Sequence, residues 1–248
     1  MRSVECFPRA MDRVAGRNKA LYDAGTTWGG GASPAYYDIA IPDTISLCGN
    51  VVWIIKSQKH VLIDKKLKSG DRILFLKSTG INANGLSLTR AVAKKLPKGY
   101  ATKLPSGKLY GEAILEKTNI YAKTIQDLLD ANIDLHYISN ITGHGLRKLM
   151  RARWDFRYIV DKLFDPQEIF IFLQKHTGMS DQEIYETYNM GQDYAIFLPA
   201  KDIKKAQAII KKNGFESLDG GYIEKGERQV VIKPLNIVFK GESLKVRL

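Results

Sequence analysis

The stretch that most constrains the fold of this chain is residues 70–88, where an apolar strand leads through a loop of small residues into a helix. The apolar run 73–76 is typical of a buried strand and stops at Ser78. We expect Gly80 to take a positive φ and Gly85 to let the backbone approach a ligand. The following helix would direct free N–H groups at the loop, which favours an anion-binding turn. A glycine that only turns the corner would give the same pattern.

Strands and helices alternate along most of the chain after Lys59. Leu88, Val92 and Leu96 recur every four residues, which predicts a helix over 85–96 with one buried face. Periodicity and turn residues also predict helices over 12–24, 118–132, 146–153 and 201–212, and strands over 39–47, 51–55, 133–138, 194–198 and 229–232. This order predicts layers of helices on a sheet.

Two helix starts carry capping signals. Asp165 precedes Pro166 and suits an N-cap, because proline is favoured at the first helical position. Ser180 and Glu183 have the spacing of a capping box.

A second glycine loop, residues 140–145, follows the predicted strand 133–138. Its His144 is the imidazole nearest a glycine loop, and it either binds an anionic group and transfers protons or caps the next helix. The remaining histidines, His60, His136 and His176, have no visible partners and are interpreted as surface or core-edge residues.

The chain is strongly basic, with a formal charge of +12 and a pI near 9.5, and so favours anionic ligands or partners. Lysine pairs such as Lys94-Lys95 suit solvated helix faces. Four basic residues near Trp154 could form one charged face: Arg147, Lys148, Arg151 and Arg153. That face suits a phosphorylated small molecule or an acidic neighbour as well as nucleic acid. Because no nucleic-acid motif accompanies it, we disfavour nucleic acid.

Length and cysteine content set further bounds. The 248 residues suffice for one large domain or two small ones. Two cysteines, Cys6 and Cys48, give neither a disulfide framework nor metal-ligand spacing, so we expect a cytoplasmic protein. The longest apolar runs are too short to span a bilayer, and we expect no membrane association.

The first glycine loop and three later blocks together resemble the phosphoribosylformylglycinamidine cyclo-ligase (aminoimidazole ribonucleotide synthase) family. In the first stretch the matching positions are Gly70, Asp71, Ser78, Gly80, Asn84, Gly85, Ser87, Leu88 and Arg90. The later blocks, in the family's order, are residues 118–121, 141–145 and 187–191. The match runs from about Gly29 to Ile232.

The resemblance implies an α+β fold in which helices cover a mixed β-sheet. It divides the chain into residues 1–59, the tail of an N-terminal ATP-binding and dimerisation domain, and residues 60–248, the C-terminal domain. It implies ATP-dependent closure of an imidazole ring in purine biosynthesis, with ATP and Mg²⁺ as cofactors. The implied partners are a phosphorylated ribosyl small molecule and either a second copy of this chain or a chain that supplies the missing N-terminal half.

The resemblance also nominates site residues. For the phosphorylated ligand these are Ser78, Thr79, Gly80, Asn82, Asn84, Gly85, Arg90, Asn140, Thr142, Gly143 and Gly145, with Gly29, Gly30 and Gly31 as a further glycine loop of the cleft and His144 as the catalytic candidate. No metal ligand is nominated.

Three positions depart from the family's pattern. Ala32 replaces a glutamate, and Asn82 and Asn140 replace histidines, so neither a carboxylate nor an imidazole remains there to move a proton. The family's Asp-Gly-x-Gly-Thr-Lys loop is absent from the sequence. Two interpretations stay open: a cyclo-ligase that is incomplete or inactive as this chain alone, or a non-catalytic relative that binds phosphate or nucleotide for regulation or scaffolding.

Overall fold

The computed structural model describes residues 6–31 and 49–244, and it divides into two compact units. The first comprises Met1–Val61 with Ile120–Lys123, and the second comprises Leu62–Asn119 with Thr124–Leu248. The predicted strand over 39–47, together with Ala32 and Cys48, lies outside the described residues. No described helix has the length and apolar character that crossing a membrane requires.

The first unit contains helix α1, Cys6–Asp23. The helix predicted over 12–24 is therefore present and begins six residues earlier. Beyond its end the Trp28 indole N–H donates to the Gly30 carbonyl at 2.7 Å, and the Arg17 guanidinium lies over the Trp28 ring.

The prediction of a strand over 51–55 is wrong. These residues form no strand and join no sheet among the described residues, and they are exposed to solvent; Val52 is 92% and Ile54 83% exposed. An apolar, β-branched sequence favours a strand only when a neighbouring strand can accept its backbone hydrogen bonds. The described residues supply no such neighbour.

The second unit is built on one seven-stranded mixed sheet. Its strands are β1 Arg72–Lys77, β2 Tyr137–Asn140, β3 Phe156–Val160, β4 Gln192–Leu198, β5 Ser217–Lys225, β6 Gln229–Ile232 and β7 Ile237–Lys240. Their order across the sheet is β2-β4-β1-β5-β3-β6-β7. Neighbours are antiparallel except β3 and β6, which are parallel. The α+β fold with a mixed sheet is confirmed.

Besides α1, the described residues form six further α-helices. They are α2 Leu86–Lys95, α3 Tyr110–Ile114, α4 Ala122–Asp130, α5 Glu168–Thr177, α6 Asp181–Thr187 and α7 Ile203–Lys212, and a 3₁₀ helix spans Gly145–Arg151. The capping box of α6 is confirmed, since Ser180 accepts from the Glu183 N–H and Glu183 from the Ser180 N–H. The N-cap of α5 is Gln167 rather than Asp165, so the helix begins two residues later than predicted.

The centre of the sheet is inaccessible on both faces. Ile73 and Phe75 of β1 belong to one core cluster, which includes Val92 of α2 and Phe170 of α5. The alternate residue Leu74 points to the opposite face and is also fully buried. This double burial explains why β1 reads as a continuous apolar run rather than an alternating one.

Candidate functional site

The two glycine loops leave the same edge of the sheet. Strands β1 and β2 both run antiparallel to β4, which lies between them, so β1 and β2 run in the same direction. Lys77 at the end of β1 pairs with Gln192, and Asn140 at the end of β2 pairs with Tyr194. The carboxyl ends of both strands therefore meet at the start of β4, and the loops 78–85 and 140–145 begin there.

One hydrogen bond joins the loops. The backbone N–H of Gly143 donates to Asn84 Oδ1 at 2.9 Å, between residues 59 positions apart in the chain. The structure thus brings together two segments that the sequence nominates separately.

The first loop adopts left-handed conformations at Asn82, with φ 56°, and at Gly85, with φ 65°. Gly80 is not among the residues of positive φ, so the expectation for Gly80 was wrong. A Cβ at Gly80 would only reach ordinary contact with Glu116, at 3.5 Å. The left-handed residues of the turn, Asn82 and Gly85, come after Gly80 in the chain. Asparagine tolerates the left-handed conformation better than most residues with a side chain.

Gly85 makes room for an aromatic ring, a role that the sequence analysis did not anticipate. A Cβ there would lie 2.2 Å from Cε1 of Tyr188, a fully buried side chain. Burial raises the pKa of the Tyr188 hydroxyl to about 12, so the hydroxyl stays protonated and donates to the Gly85 carbonyl at 3.2 Å. The ring fixes the entrance to α2.

Side chains on both sides of the first loop hold its backbone. Ser78 Oγ donates to the Gly80 carbonyl at 2.7 Å and accepts from the Gly80 N–H at 3.1 Å. Thr79 Oγ1 donates to the carbonyl of Lys117 at 2.6 Å. These hydroxyls therefore form hydrogen bonds within the protein and hold the backbone of the loop in place.

The block 187–191 supplies a buttress for this loop. Asn189 is buried, donates from Nδ2 to the Gly80 carbonyl at 2.9 Å and accepts at Oδ1 from the Gly191 N–H. The carbonyl of Gly191 accepts from the Ser78 N–H at 2.8 Å. The sequence analysis singled out this block only for its family resemblance. Its role in holding the first loop is seen only in the structure.

Asn82 forms part of the same framework. Its Nδ2 donates to Oδ1 of Asp193, a carboxylate that is 1% exposed at the start of β4. Its Oδ1 is buried and has no hydrogen-bond partner in the described part of the chain. The Asn82 amide therefore orders the loop and offers a single unused acceptor.

The second loop depends on Gly145. Its φ is 52°, and a Cβ would lie 2.0 Å from the Tyr185 carbonyl oxygen, so no larger residue fits without displacing backbone. His144 also has a positive φ, is exposed, and places Nδ1 2.8 Å from the Gly143 carbonyl. Its side chain does not cap the 3₁₀ helix that follows.

The start of α2 is the clearest group of donors at the site. Gly85 occupies the N-cap and has no side chain to accept from the first-turn N–H groups, which face the loop. Arg90 lies four residues after Leu86 on the same helix and is exposed, as is Ser87. Backbone N–H groups, the positive end of the helix dipole and a guanidinium suit an anionic group.

The basic residues after the second loop do not form one exposed face, contrary to one sequence interpretation. Arg147 donates to the carbonyls of Ser243 at 2.7 Å and Glu186 at 3.0 Å. Arg153 pairs with Asp64 at 2.6 Å.

Lys148 of the same segment is buried rather than exposed. It donates through Nζ to Thr142 Oγ1 in the second loop. Burial, with the nearby charge of Arg151, lowers the pKa of Lys148 to about 8.

His136 has two partners and is buried, which corrects its interpretation as a surface or core-edge residue. Nδ1 lies 2.7 Å from Asp71 Oδ2 and Nε2 lies 3.0 Å from Asp134 Oδ2. Burial acts to lower the pKa of His136, but the hydrogen bonds and charges of the two carboxylates outweigh it and raise that pKa.

The remaining nominated residues are less constrained. Asn140 is exposed at the end of β2. Gly29, Gly30 and Gly31 belong to the first unit and are exposed, and the Gly30 carbonyl accepts from Trp28. Among residues 6–31 and 49–244, no three histidine, cysteine, aspartate or glutamate side chains cluster as metal ligands would.

The second unit is therefore an α+β domain whose seven-stranded mixed sheet has two glycine loops joined beside the start of β4. A family model described as AIR synthase related protein, C-terminal domain, matches residues 68–233. The chain belongs to this family.

Curated relatives agree with that assignment. The phosphoribosylformylglycinamidine cyclo-ligase of Methanocaldococcus jannaschii is 34% identical over 177 residues, which cover 69% of this chain and 50% of the relative. The enzyme of the same name from Methanosarcina acetivorans is 37% identical over 175 residues, covering 68% and 51%. The chain spans about half the length of the curated relatives it matches.

A solved structure that is similar to part of this chain is that of the hydrogenase maturation protein HypE in complex with ATP. It is 13% identical, with a TM-score of 0.47 over 71% of this chain and 51% of that chain.

Proposed function

We propose that this chain supplies the ligand-binding half of an ATP-dependent cyclo-ligase that closes an imidazole ring in purine biosynthesis. Its two glycine loops would bind the phosphate of a phosphorylated ribosyl substrate. A cytoplasmic location belongs to the same proposal. Support comes from the family and from the name shared by the curated relatives.

The hydrogen bond between the Gly143 N–H and Asn84 Oδ1 is the observation on which the site proposal rests. It sets the second loop against the residue that precedes the N-cap of α2. A phosphate at this junction would meet the uncapped first turn of α2, and Arg90 would be the nearest mobile cation on that helix.

The described residues do not fit Mg²⁺, because no acidic cluster occurs among them. We therefore assign no step of the reaction to a metal on this part of the chain. ATP is the co-substrate that the resemblance implies, and the protein's remaining contribution would be to bind and orient the substrate.

A second function, binding without catalysis, is favoured by one observation. Asn82 stands where the family has a histidine, and its amide is already bonded to buried Asp193. An asparagine amide does not exchange protons near neutral pH. A regulatory or scaffolding relative would keep the loops and lose ring closure.

Reconstitution tests the two functions against each other. The chain would be mixed with the N-terminal half of the Methanosarcina acetivorans relative, and ring closure and ADP formation would be followed together. We expect no turnover by the chain alone and turnover in the mixture. Turnover by the chain alone would contradict the proposal that it supplies only the ligand-binding half. A mixture that binds phosphate without turnover would favour the non-catalytic function.

We also propose that the chain associates through residues 51–55, with a second copy or with a chain that supplies an N-terminal half. The support is the exposure of five consecutive apolar side chains, from Val51 to Ile55. Exposed apolar segments with high strand propensity commonly pair with a strand of another chain.

A further inference from the structure

Lys148 carries a buried ammonium group that no carboxylate in the described part of the chain neutralises. The residue is 9% exposed, and Nζ donates to Thr142 Oγ1. Within the described residues it takes part in no ion pair, and the charge that acts on it is the like charge of Arg151. An ammonium has three N–H donors, so one hydroxyl leaves it incompletely satisfied.

The energetic cost of this arrangement is substantial. Removing an ammonium from water is strongly unfavourable unless a counter-ion compensates it. Burial accordingly lowers the pKa of Lys148 to about 8. A hydrophobic side chain of the same length would avoid the cost, so the lysine needs a reason other than stability.

The protein also fixes the position of this lysine. Ser139 Oγ, buried in β2, donates to the Lys148 carbonyl at 2.8 Å. Thr142 is only partly buried and lies in the loop whose Gly143 N–H bonds to Asn84. The ammonium therefore lies directly behind a hydroxyl at the junction of the two loops.

We propose that Lys148 and Thr142 together bind a phosphate oxygen of the ligand, with Lys148 supplying the counter-charge. This inference rests on the proposed phosphate site and assigns its buried positive charge to a residue outside the glycine loops. The bound dianion would provide the counter-ion that residues 6–31 and 49–244 do not supply.

The test compares Lys148→Met with Lys94→Met, which removes the same charge from an exposed position on α2. Inorganic phosphate is titrated calorimetrically at about pH 7. We expect Lys148→Met to weaken binding by about tenfold or more, since a hydrogen bond to a charged group is lost, and Lys94→Met to leave it nearly unchanged. Lys148→Met should also melt at the same temperature as the unaltered chain or higher, because it relieves an uncompensated buried charge.

A merely structural lysine would give the opposite pair of results, a lower melting temperature and unchanged phosphate binding. Protection gives an independent readout: phosphate should slow acylation of Lys148 by an anhydride and leave Lys94 unaffected. Phosphate binding that survives Lys148→Met would overturn this inference alone. Failure of the unaltered chain to bind phosphate would overturn it together with the phosphate site, while ring closure in the reconstituted mixture would show separately whether the proposed function stands.

Discussion

At the scale of single residues, Gly145 makes the strictest demand on the sequence. Its positive φ is shared with Gly178 at the end of α5, but the two positions differ in available space. A Cβ at Gly145 would lie 2.0 Å from the Tyr185 carbonyl oxygen, whereas a Cβ at Gly178 has no neighbour within 4 Å.

The comparison yields a stability prediction. Gly178→Ala should lower the free energy of unfolding by about 1 kcal/mol, the cost of a left-handed residue alone. Gly145→Ala should lower it by about 3 kcal/mol or more, because backbone must also move. Urea denaturation of both variants measures the difference, and equal losses would mean that the second loop rearranges freely.

At the scale of secondary-structure elements, His136 links the starts of two strands. Asp71 immediately precedes β1, and His136 immediately precedes β2. With carboxylates at both ring nitrogens, the imidazolium can donate twice, while a neutral ring leaves one nitrogen lone pair facing an anion.

This arrangement predicts a pH dependence. Because the pKa of His136 is raised above its ordinary 6.5 in the folded chain, its stabilisation is complete below about pH 6.5 and is lost as the pH rises through the folded pKa. The urea concentration at the midpoint of unfolding should therefore decrease as the pH rises above about 6.5, and His136→Gln should make that decrease smaller. His60→Gln is the matched control. A pH dependence that His136→Gln leaves unchanged would contradict the role assigned to the Asp71–His136–Asp134 contacts.

The elements also show which parts of the fold the sequence could predict. Strand β1 was predictable because burial on both faces makes it continuously apolar. Strand β5 was not, because it contains Gly220 and Gly221 among charged residues; Gly221 is required where a Cβ would lie 2.0 Å from the Ile159 carbonyl. For residues 51–55 the prediction of a strand failed for the opposite reason. Their local strand propensity is strong, but no partner strand is present among the described residues.

Some features of the candidate site could likewise be predicted from the sequence, and others could not. The two loops were predictable because glycines and strand ends are local signals. Their joining through Asn84 and Gly143 depends on the order of strands in the sheet. The burial of Lys148 was hidden as well, because its basic neighbours suggested a solvated face.

At the scale of the whole molecule, the exposed apolar residues 51–55 predict association. Burying a side chain of this size contributes about 1.5 to 3 kcal/mol, so five of them suffice to hold a partner. Sedimentation at micromolar concentration should show a dimer or a larger species. Val52→Lys together with Ile54→Lys should shift it toward monomer, while a control with two lysines at exposed positions of α6 and α7, Gln182→Lys and Ala208→Lys, should not. A monomeric unaltered chain would contradict this proposal.

The central claim is that the joined loops form one phosphate site, and calorimetric titration of ribose 5-phosphate into Asn84→Ala tests it most directly. Asn84→Ala removes the acceptor for the Gly143 N–H, and Gln182→Ala, an exposed position on α6 outside the site, serves as control. We predict that the unaltered chain and Gln182→Ala bind ribose 5-phosphate, and that Asn84→Ala, still folded, binds it about tenfold more weakly or worse. Equal affinity in Asn84→Ala, or no binding by the unaltered chain, would contradict the claim.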